Sequence, residues 1–289
     1  MKVKHLMPLI TLVAATAFVS CKQEDINPIE EMPPAQWPQK RVSRIVFSIG
    51  TFDYLTYHFE WSKQHLEAIR CTYYDGTLMG GTSFEYDGDR LSRVFPFDSE
   101  GQSYVDGAMS YCYDARGRLE RQFFLIPAQR KEHKRGEYYD VVRCELTYTY
   151  FDNGKVAEVV LSQIANTDTT TSSFHFAWNG DNVSSITRSS SDGSTSVVYN
   201  MQYDNHPNPL QFPMGVETMA VMPVEMLEGV LGYSVTFLSG AFCWCANNAT
   251  DLISGTGHCS LQYDDEGCLI SKTITSGGQS STYTFTYQP

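Results

Sequence analysis

Positive charge is scarce in this chain. Of its 289 residues only 21 are Lys or Arg, against 33 Asp or Glu, a net charge of −12 at pH 7. That balance disfavours nucleic acid and anionic membrane surfaces as partners, because both repel an acidic surface. Motifs that carry chemistry are missing as well. Gly232-Tyr233-Ser234-Val235-Thr236 lacks the final glycine of a nucleophile elbow. Gly76 to Gly81 has no lysine to complete a phosphate loop. The seven histidines are scattered with no pair at helical metal spacing, and Cys243-Trp244-Cys245 is too tight for a zinc knuckle. No catalytic residue, metal ligand or cofactor site is therefore assigned, and the chain is expected not to be an enzyme. The acids do leave one route to chemistry open, two distant carboxylates meeting in a cleft as in a glycan hydrolase.

What the sequence does contain is a recurring phrase of aromatic, any residue, aromatic, Asp or Asn, a turn, then Leu or Val. It reads Phe84-Glu85-Tyr86-Asp87 to Leu91, Tyr111-Cys112-Tyr113-Asp114 to Leu119, and Tyr148-Thr149-Tyr150 to Val156. It returns as Phe176-Ala177-Trp178-Asn179 to Val183, Met201-Gln202-Tyr203-Asp204 to Leu210, and Leu261-Gln262-Tyr263-Asp264 to Leu269. Phe59-Glu60-Trp61 to Leu66 is a degenerate first copy and Phe285-Thr286-Tyr287 a truncated last one. Residues two apart share a face of a strand, so each phrase puts both aromatics on one side and a polar or small residue on the other. Asp and Gly supply the turn. Leu91 and Val94, like Val183 and Ile186, are three apart and cannot share a face of a regular strand. Either a bulge intervenes, the favoured reading because it would also curve the sheet, or the Leu or Val packs at the turn while the later residue packs in the sheet. Repeated units of this kind share one core. The fold class read from the phrase is all-β, a large curved antiparallel sheet or partial barrel of repeated hairpins.

Three segments lie outside the repeat. Residues 1–21 read as an export signal with basic Lys2 and Lys4, an apolar run from Leu6 to Val19, and small Ser20 before Cys21. The Phe18-Val19-Ser20-Cys21 end resembles a bacterial lipobox, which implies acylation of Cys21 and a membrane anchor with no spanning helix. Residues 22–40, rich in Pro and acids, read as an extended tether, so that 41–289 forms a single repeat domain. Within it, 211–248 is an insertion where Met226, Leu227, Val230 and Leu231 mark a short helix expected to cover the aromatic face. The seven cysteines left after Cys21 are an odd number, so at least one stays unpaired in a monomer.

The Tyr113-Asp114-Ala115-Arg116-Gly117-Arg118-Leu119 phrase resembles the tyrosine-aspartate repeats of Rhs-type shell proteins. The lipobox, the hairpins, the Asn205-His206-Pro207-Asn208-Pro209 run and the paired Asn247-Asn248 together look like Bacteroidales lipoproteins of unknown function. That resemblance implies a porin-like β-fold and an outer-membrane, surface-exposed location; Glu24-Asp25 resembles a surface-export cue. It brings no ligand residues. Asp168-Thr169-Thr170 matches a short O-glycosylation signal and makes Thr169 a candidate modification site. The leading functional expectation is a non-catalytic binding or adhesion module, directed at glycans. An envelope assembly component that binds other proteins is the alternative. The contact surface is expected where the repeat breaks, in the loops after 95, 127 and 165 and in the insertion after Leu210.

Overall fold

In a computed structural model of the chain, the described residues are 40–62, 65–103, 108–127, 141–165, 168–190, 193–200, 202–211, 245–250, 257–276 and 278–289. Cys21, the tether and the helix expected in 211–248 lie outside them, apart from a few residues at the edges of those segments. Among the described residues there is no helix.

The strands are β1 Val42–Ile49, β2 Phe52–Ser62, β3 His65–Tyr73, β4 Leu78–Asp87, β5 Arg90–Phe97, β6 Met109–Tyr113 and β7 Leu119–Pro127. They continue with β8 Val141–Tyr150, β9 Val156–Ala165, β10 Asp168–Asn179, β11 Asn182–Ser190 and β12 Thr195–Asn200. After these come β13 Tyr203–Pro207, β14 Asn247–Ala249, β15 Gly257–Tyr263, β16 Leu269–Ser276 and β17 Gln279–Tyr287. Fifteen of them form one sheet in the order β12 back to β1, then β17, β16, β15. Every pairing in it is antiparallel, as short hairpin turns require. The sheet is open, with β12 and β15 at its edges and β1 in its interior. Between those edges sits a separate two-stranded ladder, β13 with β14.

Six of the repeats are hairpins with a bulge at the second aromatic. Tyr86 pairs with Leu91 while Glu85 pairs with Arg93, which leaves Ser92 extra. The same step occurs at Trp61, Tyr113, Tyr150, Trp178 and Tyr263. The extra residue returns the residue three after Leu or Val to the inner face. Leu91 and Val94 are thus both buried, as are Leu66 with Ile69, Val156 with Val159, and Val183 with Ile186. Burying side chains of this size contributes about 1.5–3 kcal/mol each.

Between one hairpin and the next, the backbone ladder stops two residues short of that Leu or Val, for example at Ala68 with Ser83, Arg93 with Ser110, and Glu158 with His175. A side chain takes over. The Tyr86 hydroxyl donates to the Leu66 carbonyl at 2.9 Å, Tyr113 to Leu91 at 2.7 Å, Tyr150 to Leu119 at 2.6 Å and Tyr203 to Val183 at 2.7 Å. The indoles of Trp61 and Trp178 donate to Val42 and Val156 at 2.8 Å, and Tyr287 donates to Leu269 at 2.7 Å. The residue just before the acceptor often covers the same ring. Arg41 lies 5.2 Å from Trp61, Arg90 5.5 Å from Tyr113, Arg118 4.5 Å from Tyr150 and Lys155 5.5 Å from Trp178. His65 occupies that place over Tyr86.

The turns follow the Asp and Gly of the phrase. Asp114 Oδ1 accepts the amides of Arg116 and Arg118, and Gly117 turns the chain at a φ of +80°. Those amides, that of Arg118 foremost, hold the Asp114 carboxyl below its usual range. On the outer face, a Cβ at Gly81 would meet the Ile69 carbonyl oxygen and the Phe97 ring at 2.3 Å, so the ring lies where only glycine leaves room. Arg70 stacks on that ring from 5.3 Å and pairs with Glu60 at 2.5 Å.

One expectation about loops changes. The stretch after 165 is drawn largely into strands, as is 276–281, because their Ser and Thr runs suit a pleated surface and pair in register, Thr169 with Ile164 and Ser276 with Gln279. Replacing Tyr150 with Phe is expected to cost about 1–3 kcal/mol in urea denaturation, since it leaves the Leu119 carbonyl without its hydroxyl donor.

Candidate functional site

Two places depart from the repeat. The first is the seam between β12 and β15. Following the pattern, Tyr263 should donate to the copy before it, at Leu210. Its hydroxyl instead donates to Asp204 Oδ2, and its ring stacks on His206 at 3.9 Å and 13°. Asp204 Oδ1 still performs its turn role, accepting the His206 amide at 3.1 Å, and also accepts the Asn248 amide at 3.1 Å. Asn248 is buried and its side-chain amide donates to the carbonyl of Pro207 at 3.1 Å. Burial pushes the Tyr263 hydroxyl well above its ordinary pKa, and the Asp204 contact pushes the same way.

The 245–250 segment is stitched to both flanks of the seam. On one side Asn247 and Asn182 exchange two hydrogen bonds, Asn182 Nδ2 to Asn247 Oδ1 at 2.8 Å and the Asn247 amide to Asn182 Oδ1 at 3.0 Å. This imitates a backbone pair. The Val183 amide donates to Cys245 Sγ at 3.4 Å. On the other side the Cys259 amide donates to the Thr250 carbonyl at 3.1 Å, and Lys272 Nζ to the Ala249 carbonyl at 3.3 Å. A cavity of about 60 Å³ opens here, beside Lys272.

The second place is an aromatic cluster at the far end of the sheet. Five large apolar side chains are exposed there: Ile49 (39%), Phe52 (50%), Tyr54 (38%), Tyr73 (38%) and Tyr74 (67%). Phe52 and Tyr74 meet across two turns with centroids 5.1 Å apart. Tyr54 contacts Phe47 edge-on at 6.4 Å, and Phe47 lies 5.0 Å from Tyr283. Burial pushes the Tyr283 hydroxyl up to about 12. Asp53 and Asp75 flank the rings, each with Oδ1 engaged locally, by the Ser48 hydroxyl at 2.7 Å and the Thr77 amide at 2.9 Å. β1 begins beside the ladder of hydroxyl bonds and ends at this cluster, about 25 Å away at roughly 3.3 Å per residue.

The search area expected from sequence misses that cluster. After residue 95 the strand runs on to Phe97, and the loop after 127 and most of the insertion lie outside the described residues. The signal was nonetheless present. Gly50-Thr51-Phe52-Asp53-Tyr54 and Tyr73-Tyr74-Asp75-Gly76 put rings into turns, where polar residues are the rule. Thr169 is exposed near the start of β10. Among the described residues, Cys71, Cys112, Cys144, Cys245, Cys259 and Cys268 are thiols rather than halves of disulfides, and Cys243 is outside the described residues. Burial pushes the Cys144 thiol up to about 11.

No family model matches the sequence, and no curated protein does. Among solved structures, a porin-like protein from Bacteroides vulgatus is similar with a TM-score of 0.46 and 13% identity, covering 86% of this chain and 99% of its own. A porin-like protein from Bacteroides uniformis has a TM-score of 0.32 and 13% identity, covering 88% of this chain and all of its own. Likeness at that level says nothing of the role of this chain.

At the seam, Tyr263→Phe leaves a partly buried carboxylate oxygen without its hydroxyl donor. It is expected to lower stability by about 1.5–3 kcal/mol in urea denaturation, at the upper end of what Tyr150→Phe costs, because the acceptor is charged.

Proposed function

We propose that the protein is a non-catalytic binding module of the cell envelope, held by acyl chains on Cys21 and directed at neutral glycans. The observation that carries this reading is the exposed cluster of Phe52, Tyr54, Tyr73 and Tyr74. Exposed apolar side chains gathered in one patch mark a contact surface, whereas scattered ones do not. Rings that keep a hydroxyl at the rim suit a ligand with alternating C–H faces and hydroxyl groups, as a pyranose chain has. The flanking Asp53 and Asp75 and the negative balance of the chain favour an uncharged ligand over an acidic one.

The direction of the sheet supports display. The Arg41 carbonyl accepts the Gln288 amide at 2.8 Å, so Arg41 and Gln288 meet at the ladder end. The aromatic cluster lies at the other end of β1 from Arg41. An outer-membrane lipoprotein facing outward would present it to the surroundings. Thr169, exposed at the start of β10, is available to a glycosyltransferase. The non-catalytic reading rests on the carboxylates of the repeat being spent on turns, as Asp114 and Asp264 are.

Two measurements test the proposal. On a glycan and mucin array the wild type is expected to bind neutral glycans, and Phe52→Ala/Tyr74→Ala to lose at least tenfold in affinity while keeping its unfolding midpoint. No binding above background, with envelope proteins recovered by crosslinking in cells, would favour the assembly role instead. In cells, Cys21→Ser is expected to move the protein from the membrane fraction to the soluble one, and a membrane-bound variant would count against the anchor.

A further inference from the structure

Among the described residues, the residue three after the Leu or Val faces the inner layer and is Ile69, Val94, Val159 or Ile186 in four repeats, as Ile45 is after Val42, all buried. Two repeats break the rule. In one, Gln122 is buried but fully engaged, accepting the Tyr148 hydroxyl at 3.0 Å and donating toward Tyr111 at 3.4 Å. In the other, the position holds Lys272, whose ammonium donates to the Ala249 carbonyl. A lysine at a position that is apolar in most repeats is costly unless its charge is compensated.

Among the described residues its surroundings supply no ion pair. Asp204 is within electrostatic reach, but its two oxygens already accept the amides of His206 and Asn248 and the hydroxyl of Tyr263. Burial accordingly dominates and lowers the Lys272 pKa, with Cys259 and Asp204 opposing weakly. The ammonium borders the cavity of about 60 Å³, whose walls are apolar at Leu210, Leu269 and Phe285 and polar at Asn208 and Asn248. That volume suits a solute of a few heavy atoms. One cation in an apolar-walled pocket is complementary to a small anion with an apolar end.

We propose that the cleft beside Lys272 is a binding site for a short-chain carboxylate, its charge set against the Lys272 ammonium and its alkyl end against Leu269 and Phe285. Tyr283, the inner ring of the aromatic cluster, pairs opposite Lys272, but the exposed rings Phe52 and Tyr74 do not line the cleft, so the two proposals are tested by different substitutions. A bound carboxylate would also tie β16 to the 245–250 segment and strengthen the seam.

Thermal unfolding of the intact chain in sodium propionate or acetate, against sodium chloride at equal ionic strength, tests it. The wild-type midpoint is expected to rise with carboxylate concentration and saturate, as linkage to a single site requires. Lys272→Met is expected to fold, to be at least as stable as wild type in chloride, and to show no carboxylate response. Lys272→Gln, which keeps a donor for Ala249 without the charge, is expected to lose the response as well, and serves should the Met variant fail to fold. Equal wild-type midpoints in carboxylate and chloride would overturn the proposal, and so would a saturating response that survives in Lys272→Gln.

Discussion

One hydrogen bond, made again and again, holds this sheet in register from hairpin to hairpin. A bulge after each Leu or Val brings the residue three further on back to the inner face, and at the same point the backbone ladder toward the next hairpin ends. The carbonyl left there would be a buried acceptor without a donor, a cost of about 1–3 kcal/mol. The hydroxyl or indole N–H of the next repeat fills it, from Val42 with Trp61 to Leu269 with Tyr287. The second aromatic is thus confined to residues that pair a large apolar ring with a donor at its rim, Tyr or Trp; Phe would pack without bonding. The first aromatic of the phrase has no such duty and is Phe, Tyr, Met or Leu.

The seam obeys the same constraint by other means. Tyr263 has no preceding carbonyl of the usual kind, and the turn residue Asp204 provides the acceptor while His206 provides the ring cover. Asn247 and Asn182 exchange side-chain bonds where strands would exchange backbone ones. At the start of β11 a short stretch of polar side chains thus stands in for a missing hairpin, while β12 and β15 remain the edges of the sheet.

Much of this architecture was legible in the sequence, since its signals are local. The aromatic spacing gives the inner face, Asp and Gly give the turns, and the three-residue step from Leu91 to Val94 gives the bulge. The hydroxyl bonds were not legible, because Leu66 and Tyr86 are joined by geometry across strands rather than by any spacing pattern. The two candidate sites were hidden for a related reason. Lys272 reads as an ordinary strand lysine until its bulge turns it inward, and Phe52 and Tyr74, far apart in sequence, become one surface only when the β1–β2 and β3–β4 turns come together. A polar run such as Asp168 to Ser173 reads as loop by composition, yet its β-branched residues extend a strand once a partner stands beside it.

The place of β1 inside the sheet sets an order of events. Val42 pairs opposite Tyr287, and Ile45 opposite Phe285, across almost the whole length of the chain. From β2 to β12 each strand can be laid down on the one made just before it, a sequence of short loop closures. The last three strands cannot attach to the growing edge; they must travel back to the first strand, which has waited with one side unpaired. Local zippering is quick and distant closure is slow. The chain therefore carries, until its final residues are available, an exposed strand edge that invites pairing with another molecule. A protein built this way depends on being kept apart from its neighbours for as long as its end lags behind its beginning.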